Sequence, residues 1–356
     1  MNQQRLQKVL DNMKQAGLHQ LLVTETEPVY YLTGIWVSPM ERMMALYIRE
    51  DGKVTFFGNK LFAIAPQEGL EMVEHTDSDD PVAQLAAAVL PGELGIDETW
   101  PSRFLIGLMS HRPDVKPVLG SEPVAQATMY KDEEERVLMR AASRIDDACI
   151  VMAIHAIREG ITEKELSSKV EHFFQEKGCD HLGFSIVAMG ANGADPHHGT
   201  DGTVLKEGDS IVMDIGAPFN HYWCDMTRTV FYKSASEEQR TVYETVRRAN
   251  EAAIAVVKPG VAFKEIDLAA RKVIEDAGYG EYFTHRTGHS IGMKEHEQPP
   301  VSSECEVIAK PGMIFSIEPG IYLPGKFGVR VEDLVLVTED GCEVLNKYPK
   351  DLIVVE

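Results

Sequence analysis

The chain has 356 residues, 44% of them hydrophobic, and a formal net charge of −21. That length admits two domains with cores of their own, and the charge argues against nucleic acid or an anionic membrane surface as partner, since both attract basic faces. No run is apolar for long enough to span a bilayer, the opening Met1-Asn-Gln-Gln-Arg-Leu-Gln is polar, and the five cysteines include no CxxC pair, so the expected setting is the cytoplasm, with neither a disulfide framework nor a thiolate metal site.

Residues 3–16 place Leu6, Val9, Leu10 and Met13 on one helical face, with Gly17 as the cap. Leu21-Leu-Val-Thr, Met43-Met-Ala-Leu-Tyr-Ile and Val54-Thr-Phe-Phe read as strands, and Asp51-Gly52 marks a hairpin between the last two. A helix over 80–90 and a strand at Leu94-Gly-Ile-Asp complete a small α/β domain over residues 1–125. Residues 120–131 change character and read as a linker into a second domain, 126–356. There the sequence predicts helices over 132–158, from Thr162 onward, over 236–257 and over 263–277. Strands are expected at 184–190, 211–215, 226–232, 314–318 and 329–337. Thr162-Glu-Lys-Glu165 and Ser236-Glu-Glu-Gln239 are capping boxes. The expected class is α+β, with helices over a curved, mostly antiparallel sheet.

This second domain repeats itself. Ile157-Arg-Glu-Gly-Ile-Thr-Glu-Lys-Glu165 matches Val257-Lys-Pro-Gly-Val-Ala-Phe-Lys-Glu265, and both glutamates precede a glycine, Gly178 or Gly278, by thirteen residues. Lys206-Glu-Gly-Asp-Ser-Ile-Val-Met-Asp214 matches Lys310-Pro-Gly-Met-Ile-Phe-Ser-Ile-Glu318, and a second acid follows each, Asp225 and Glu332. A period near one hundred residues is too long for a solenoid, so a duplicated half-domain is the better reading. Two like halves about a pseudo-two-fold bring four carboxylates to one axis, where they repel unless cations sit between them. Any one of these acids alone is better read as facing water.

Histidines cluster too, as His285, His289 and His296 in one tract and His197-His198 in another. His19, His75, His111, His155, His172 and His181 read as surface or satisfied core residues, and His221, four before Asp225, stays ambiguous. Carboxylates with one imidazole suit a pair of Mn, Co, Zn or Fe ions rather than a structural zinc. Two ions sharing a hydroxide acidify water and polarise a carbonyl, which points to amide hydrolysis.

Five motifs carry a resemblance: Val-Met-Asp214-Ile-Gly, Cys-Asp225-Met-Thr-Arg-Thr, Thr-Gly-His289-Ser-Ile-Gly, Ser-Ile-Glu318-Pro-Gly-Ile-Tyr and Val-Arg-Val-Glu332-Asp. In type and order, over 135–350, they resemble the M24-type pita-bread metallopeptidases, namely prolidase, aminopeptidase P and methionine aminopeptidase. The first 125 residues, including Val29-Tyr-Tyr-Leu-Thr-Gly34, are similar to the creatinase-type domain that precedes the catalytic domain in the first two; methionine aminopeptidases usually lack it and rank third.

The resemblance implies that Asp225 and Glu332 bridge two divalent ions, manganese first among the candidates, with Co, Zn or Fe also suited. Asp214 would bind one ion, and His289 and Glu318 the other. Glu318 would be general base or proton shuttle. His197, His285 and His296 would surround the substrate, with His197 preferred to His198 because it lies seventeen residues before Asp214. Arg330 would orient Glu332, and Thr227 would support from behind. The sequence departs from many relatives in reading Ser290 after His289, a small residue in place of glycine. The implied activity is metal-bridged hydroxide attack on the bond before proline in a small peptide, by a homodimeric Xaa-Pro dipeptidase. The alternative is an Xaa-Pro aminopeptidase acting on longer peptides. A metal-free creatinase-like hydrolase and a non-catalytic binding module are both opposed by the intact ligand set.

Overall fold

A computed structural model describes all 356 residues, which form two compact units, Met1–Thr128 and Met129–Glu356. The first unit runs α1 (Gln3–Gln15), β1 (Gln20–Val23), α2 (Thr26–Thr33), β2 (Ala45–Arg49), β3 (Val54–Asn59), β4 (Glu71–His75), α3 (Pro81–Ala88), β5 (Gly92–Ile96), α4 (Ser102–His111), β6 (Val115–Leu119) and α5 (Glu122–Met129). Its six strands make one mixed sheet in the order β4-β3-β2-β1-β5-β6. The hairpin expected at Asp51-Gly52 joins β2 to β3, with Gly52 at φ 82°. Leu22, Tyr47, Phe57, Leu85, Leu94 and Leu108 form the core.

Residues 120–131, read as a linker, contain helix α5. Glu122 and Pro123 suit its first turn, Val124 and Ala127 are buried, and the Tyr31 hydroxyl donates to the Ala127 carbonyl at 3.0 Å. The division between units therefore falls after Thr128 rather than after 125. The sequence reading also passed over α2, α4, β4 and β6.

The second unit contains α6 (Glu133–Ala156), α7 (Glu163–Glu176), β7 (Phe184–Met189), β8 (Ser210–Gly216), β9 (Pro218–Phe219), β10 (Tyr222–Trp223), β11 (Met226–Tyr232), α8 (Glu237–Val256) and α9 (Phe263–Asp276). It continues with β12 (Gly288–Ser290), β13 (Glu297–Val301), β14 (Ile314–Ile317), β15 (Gly320–Leu323), β16 (Phe327–Arg330), β17 (Asp333–Val337), β18 (Cys342–Val344) and β19 (Val354–Val355). Capping boxes open α6, α7 and α8, with Asp132, Thr162 and Ser236 as the capping residues. At α9 the cap is Ala262, which has no side-chain acceptor, so only the return bond remains, the Ala262 N–H donating to Glu265 Oε2 at 3.4 Å.

The duplication is visible in the backbone. α6–α7 and α8–α9 are matching helix pairs, and the residue before the second helix of each makes a matching bridge, Thr162 to Val204 and Ala262 to Ile308. Each half buries its own core. Ile150, Leu166, Val170, Ile211 and Met213 pack in the first, and Val246, Phe263, Ile266, Phe315 and Val335 in the second.

The expected curved sheet is divided into a four-stranded part, β19-β11-β8-β7, and a five-stranded part, β13-β12-β14-β17-β18, with β15–β16 as a separate hairpin. All pairings are antiparallel except β11 with β19. The run 329–337 is not one strand, because Val331 and Glu332 leave the ladder between β16 and β17. There the Glu332 N–H donates to the Thr227 carbonyl at 3.1 Å, joining the second half to the first.

Candidate functional site

The acids of the two halves meet at this seam. Asp214 lies in β8 opposite Thr227 of β11, while its neighbours Met213 and Ile215 enter the core. Asp225 immediately precedes β11, and Glu318 immediately follows β14. Glu332 sits in the break between β16 and β17. His289, in β12, donates its backbone N–H to the Ser316 hydroxyl at 3.0 Å.

The ligand atoms of Asp225, His289 and Glu332 all lie within 4.8 Å of one another. His289 Nε2 is 3.5 Å from Asp225 Oδ2 and 3.6 Å from Glu318 Oε1. His289 Nδ1 lies 3.1 Å from the Ser290 carbonyl, so the proton belongs there and the Nε2 lone pair faces the carboxylates, as a ligand requires. Glu318 Oε1 accepts from the Ser316 hydroxyl at 3.1 Å, and the Glu318 N–H donates to the Thr287 carbonyl at 2.8 Å.

Three of these acids have an oxygen that is buried and bonded to nothing: Asp214 Oδ1, Asp225 Oδ1 and Glu332 Oε1. Buried acceptors are normally satisfied, and orphans mark a missing partner. Burial, then the charge of Asp214, pushes the Asp225 carboxyl well above the ordinary range; burial, then Asp225, does the same to Glu332. Asp214 is raised by burial and by Glu318, against the pull of Arg330. A cluster whose members raise one another and leave oxygens unbonded fits divalent cations.

Arg330 is fully buried and fixes the first of these acids. Its Nη2 donates to Asp214 Oδ2 at 2.5 Å, its Nε to the Thr227 hydroxyl at 3.0 Å, and its Nη1 to the Tyr322 hydroxyl at 3.0 Å. This corrects the expectation that Arg330 orients Glu332. Thr227 does so, its hydroxyl donating to Glu332 Oε2 at 2.7 Å while accepting from Arg330. The guanidinium is long enough to pass its strand neighbour on the same face and reach the opposite half.

Of the histidines, His285 is half-buried. Its Nδ1 lies 2.7 Å from the Arg286 carbonyl and its Nε2 2.8 Å from the Tyr322 hydroxyl, and burial lowers its pKa. His296 lies ring to ring with His289, centroids 4.0 Å apart, and burial followed by His289 pushes it down to about 4. His197 is exposed, yet close enough to His285 and His296 to disfavour their charged forms. His198, by contrast, is tied by its Nε2 to Glu163 at 2.8 Å. Of the remaining histidines, His75 is buried with its Nε2 3.0 Å from the Met43 carbonyl, and His221 lies at φ 69° in the turn between β9 and β10, beside Asp180.

Tyr322, at the end of the Glu318-Pro-Gly-Ile-Tyr run, links Arg330 to His285 and is a site residue beyond those the sequence predicts. A polar network behind the acids was not foreseen either. Buried Arg228 donates to the carbonyls of Thr227 and Glu332, to Asp333 Oδ1 and to the Tyr348 carbonyl. Lys350 reaches Asp333 Oδ2 at 2.8 Å and Asn250 Oδ1 at 2.7 Å, and Asn250 donates to the Ile317 carbonyl at 2.8 Å. The legible signal was alternation, which turns Asp333 away from Glu332. Asp146 is wholly buried in α6 with both carboxylate oxygens unbonded, an acid in the stripe Met139, Ala142, Asp146, Ile150 that helical periodicity could have revealed.

Comparison with known proteins gives the family. Residues 137–339 match Metallopeptidase family M24, and residues 5–128 match the Creatinase/Prolidase N-terminal domain. The chain belongs to family M24: it is a metal-dependent peptidase whose second unit has the pita-bread fold. It is 35% identical to a putative dipeptidase of Bacillus subtilis over 98% of this chain and 99% of that one. The crystal structure of a dipeptidase from Pyrococcus horikoshii superposes with a TM-score of 0.94 at 35% identity, covering 98% and 99% of the two chains. A recombinant prolidase from Thermococcus sibiricus superposes with a TM-score of 0.94 at 34% identity, covering 99% of each. The family and fold implied by the five motifs therefore hold.

Proposed function

We propose that this peptidase is an Xaa-Pro dipeptidase with two divalent ions, held by Asp214, Asp225, His289, Glu318 and Glu332. The observation that carries the reading is the cluster of Asp225, His289 and Glu332, with Glu318 Oε1 3.6 Å from His289 and buried unbonded oxygens on Asp214, Asp225 and Glu332. Asp225 and Glu332, one from each half and with ligand atoms within 4.8 Å of each other, would be the ligands common to both ions. When bound, such ions acidify water and polarise the scissile carbonyl; manganese is the first candidate, with Co, Zn or Fe suited to the same donors.

Glu318 is the proton carrier. Ser316 holds its Oε1, which leaves Oε2 to take a proton from the attacking water and return it to the leaving nitrogen. The neutral imidazoles of His285 and His296, with His197, surround the substrate and meet the developing oxyanion and the peptide ends. Tyr322 and Arg330 keep His285 and Asp214 in place. A tertiary Xaa-Pro amide has no N–H and a fixed φ, so its cleavage needs a dedicated pocket. Support for proline comes from the prolidase among the similar structures. The five free cysteines accord with a cytoplasmic setting, and a homodimer accords with the family.

The deciding experiment is hydrolysis of an Xaa-Pro dipeptide and an Xaa-Pro-Yaa tripeptide by chelated protein, before and after adding Mn. Dipeptide cleavage restored by Mn and abolished in Asp225→Asn and Glu332→Gln is expected. Turnover of the tripeptide alone would replace the dipeptidase with an Xaa-Pro aminopeptidase.

A further inference from the structure

The segment carrying His197 runs from the end of β7 to Asp201, and one buried carboxylate holds both of its ends. Glu163, the first residue of α7, has no exposed surface. Its Oε1 accepts from the Met189 N–H at 2.7 Å and from Asn192 Nδ2 at 3.0 Å. Its Oε2 accepts from the Asp201 N–H at 3.0 Å and lies 2.8 Å from His198 Nε2. The backbone repeats the tie, with Glu163 N–H to the Thr203 carbonyl and Lys164 N–H to the Asp201 carbonyl, both at 3.1 Å. Glu163, His198 and Asp201 lie close enough together to suggest a second metal group. Four donors, however, already fill the lone-pair positions of the Glu163 carboxylate. It has none of the orphan oxygens that mark Asp214, Asp225 and Glu332.

We infer that Glu163 is a positioning residue for His197, acting through His198 and the ends of this segment; the inference rests on the reading of His197 as a substrate contact. Two observations set the segment against the site. The Pro196 carbonyl lies 3.5 Å from Arg330 Nη1, on the guanidinium that holds Asp214. Gly193 packs directly on Gly328, where an added Cβ would meet the Gly193 carbonyl oxygen at 1.7 Å, so the segment has no room to sink further. The histidine doublet is thereby divided: His198 is consumed by the clamp and His197 is left free beside His285 and His296.

The test is a double-mutant cycle on dipeptide hydrolysis with Glu163→Gln, His197→Ala and both together. The amide keeps the size of the acid but has a single acceptor oxygen and turns an NH2 towards donors. Glu163→Gln is expected to lower kcat about tenfold to a hundredfold, the cost of a displaced catalytic contact, while Mn affinity measured by titration stays within about twofold. The double variant should be no slower than His197→Ala alone, because the two residues act as one unit. Losses that multiply, or Mn affinity that falls in step with kcat, would overturn the inference. Amide hydrogen exchange over 189–201 supplies an arm without catalysis: it should accelerate in Glu163→Gln while the rest of α7 is unchanged, and unchanged exchange would also overturn the clamp. If His197→Ala costs nothing, the reading of His197 fails, and the clamp stands or falls on exchange alone.

Discussion

Asp225→Asn should make the metal-free protein more stable and the metal-loaded protein less so. The ligand atoms of Asp225 and Glu332 lie within 4.8 Å of each other. At an effective dielectric constant of about 20, two unit charges at that distance repel by about 3.5 kcal/mol. Proton uptake by the raised carboxyls relieves part of this, so roughly 1–3 kcal/mol remains to be recovered by removing one charge. For a unit the size of residues 129–356 each kcal/mol moves the midpoint by about 2–4 °C, so Tm in chelator should rise by about 2–12 °C. With Mn at a thousandfold excess over its Kd the native chain gains about 4.1 kcal/mol, most of which the variant forgoes. The two proteins should therefore exchange rank when metal is added. Calorimetry near pH 8, with chelator and with Mn, reads both signs. If Asp225→Asn melts below the native chain in chelator, Asp225 is a structural residue and the reasoning from charge repulsion is wrong.

Tyr322→Phe removes the hydroxyl between Arg330 and His285. It should cost about 1–2 kcal/mol in urea unfolding and lower kcat with Mn affinity unchanged. Lys350→Met leaves Asp333 with Arg228 alone and Asn250 without its cation. A loss of about 2 kcal/mol is expected, with weakened Mn binding measured by equilibrium dialysis. In chelator, folded Asp225 and Glu332 keep protons that the unfolded chain releases, so stability should fall as pH rises from the ordinary carboxylate range through their raised values. Metal binding should then release protons, readable as a buffer-dependent binding enthalpy; heats identical in every buffer would contradict it.

The four acids could be read from the chain because the duplication puts them at matching places, and no single acid carried that signal. The histidine tract showed a cluster, but only the family resemblance singled out His289 from His285 and His296 as a ligand. Partners were harder. Alternation assigned Arg330 and Glu332 to one face, but a face is not a reach, and the guanidinium extends past Thr227 to Asp214. Tyr322 enters from a hairpin in which it stands opposite Gly328, a pairing that local pattern does not encode. Glu163 was read only as part of a capping segment, since four donors arriving from 189–201 are invisible along the helix. In the fold, long periodic helices were placed well. The strand over 329–337 was drawn through its break, because apolar alternation continues where the backbone bonds turn to Pro319 and Thr227.

The seam between the halves is held from behind by Arg228, whose side chain from the first half grips the backbone and the acid of residues 332 and 333 in the second. Neither half owns a complete centre, so the centre reports how well the two are fitted together. Damage anywhere along the join should empty it of metal while both cores remain folded. Metal content, more than melting temperature, is then the sensitive gauge of whether a variant of this chain has been assembled correctly.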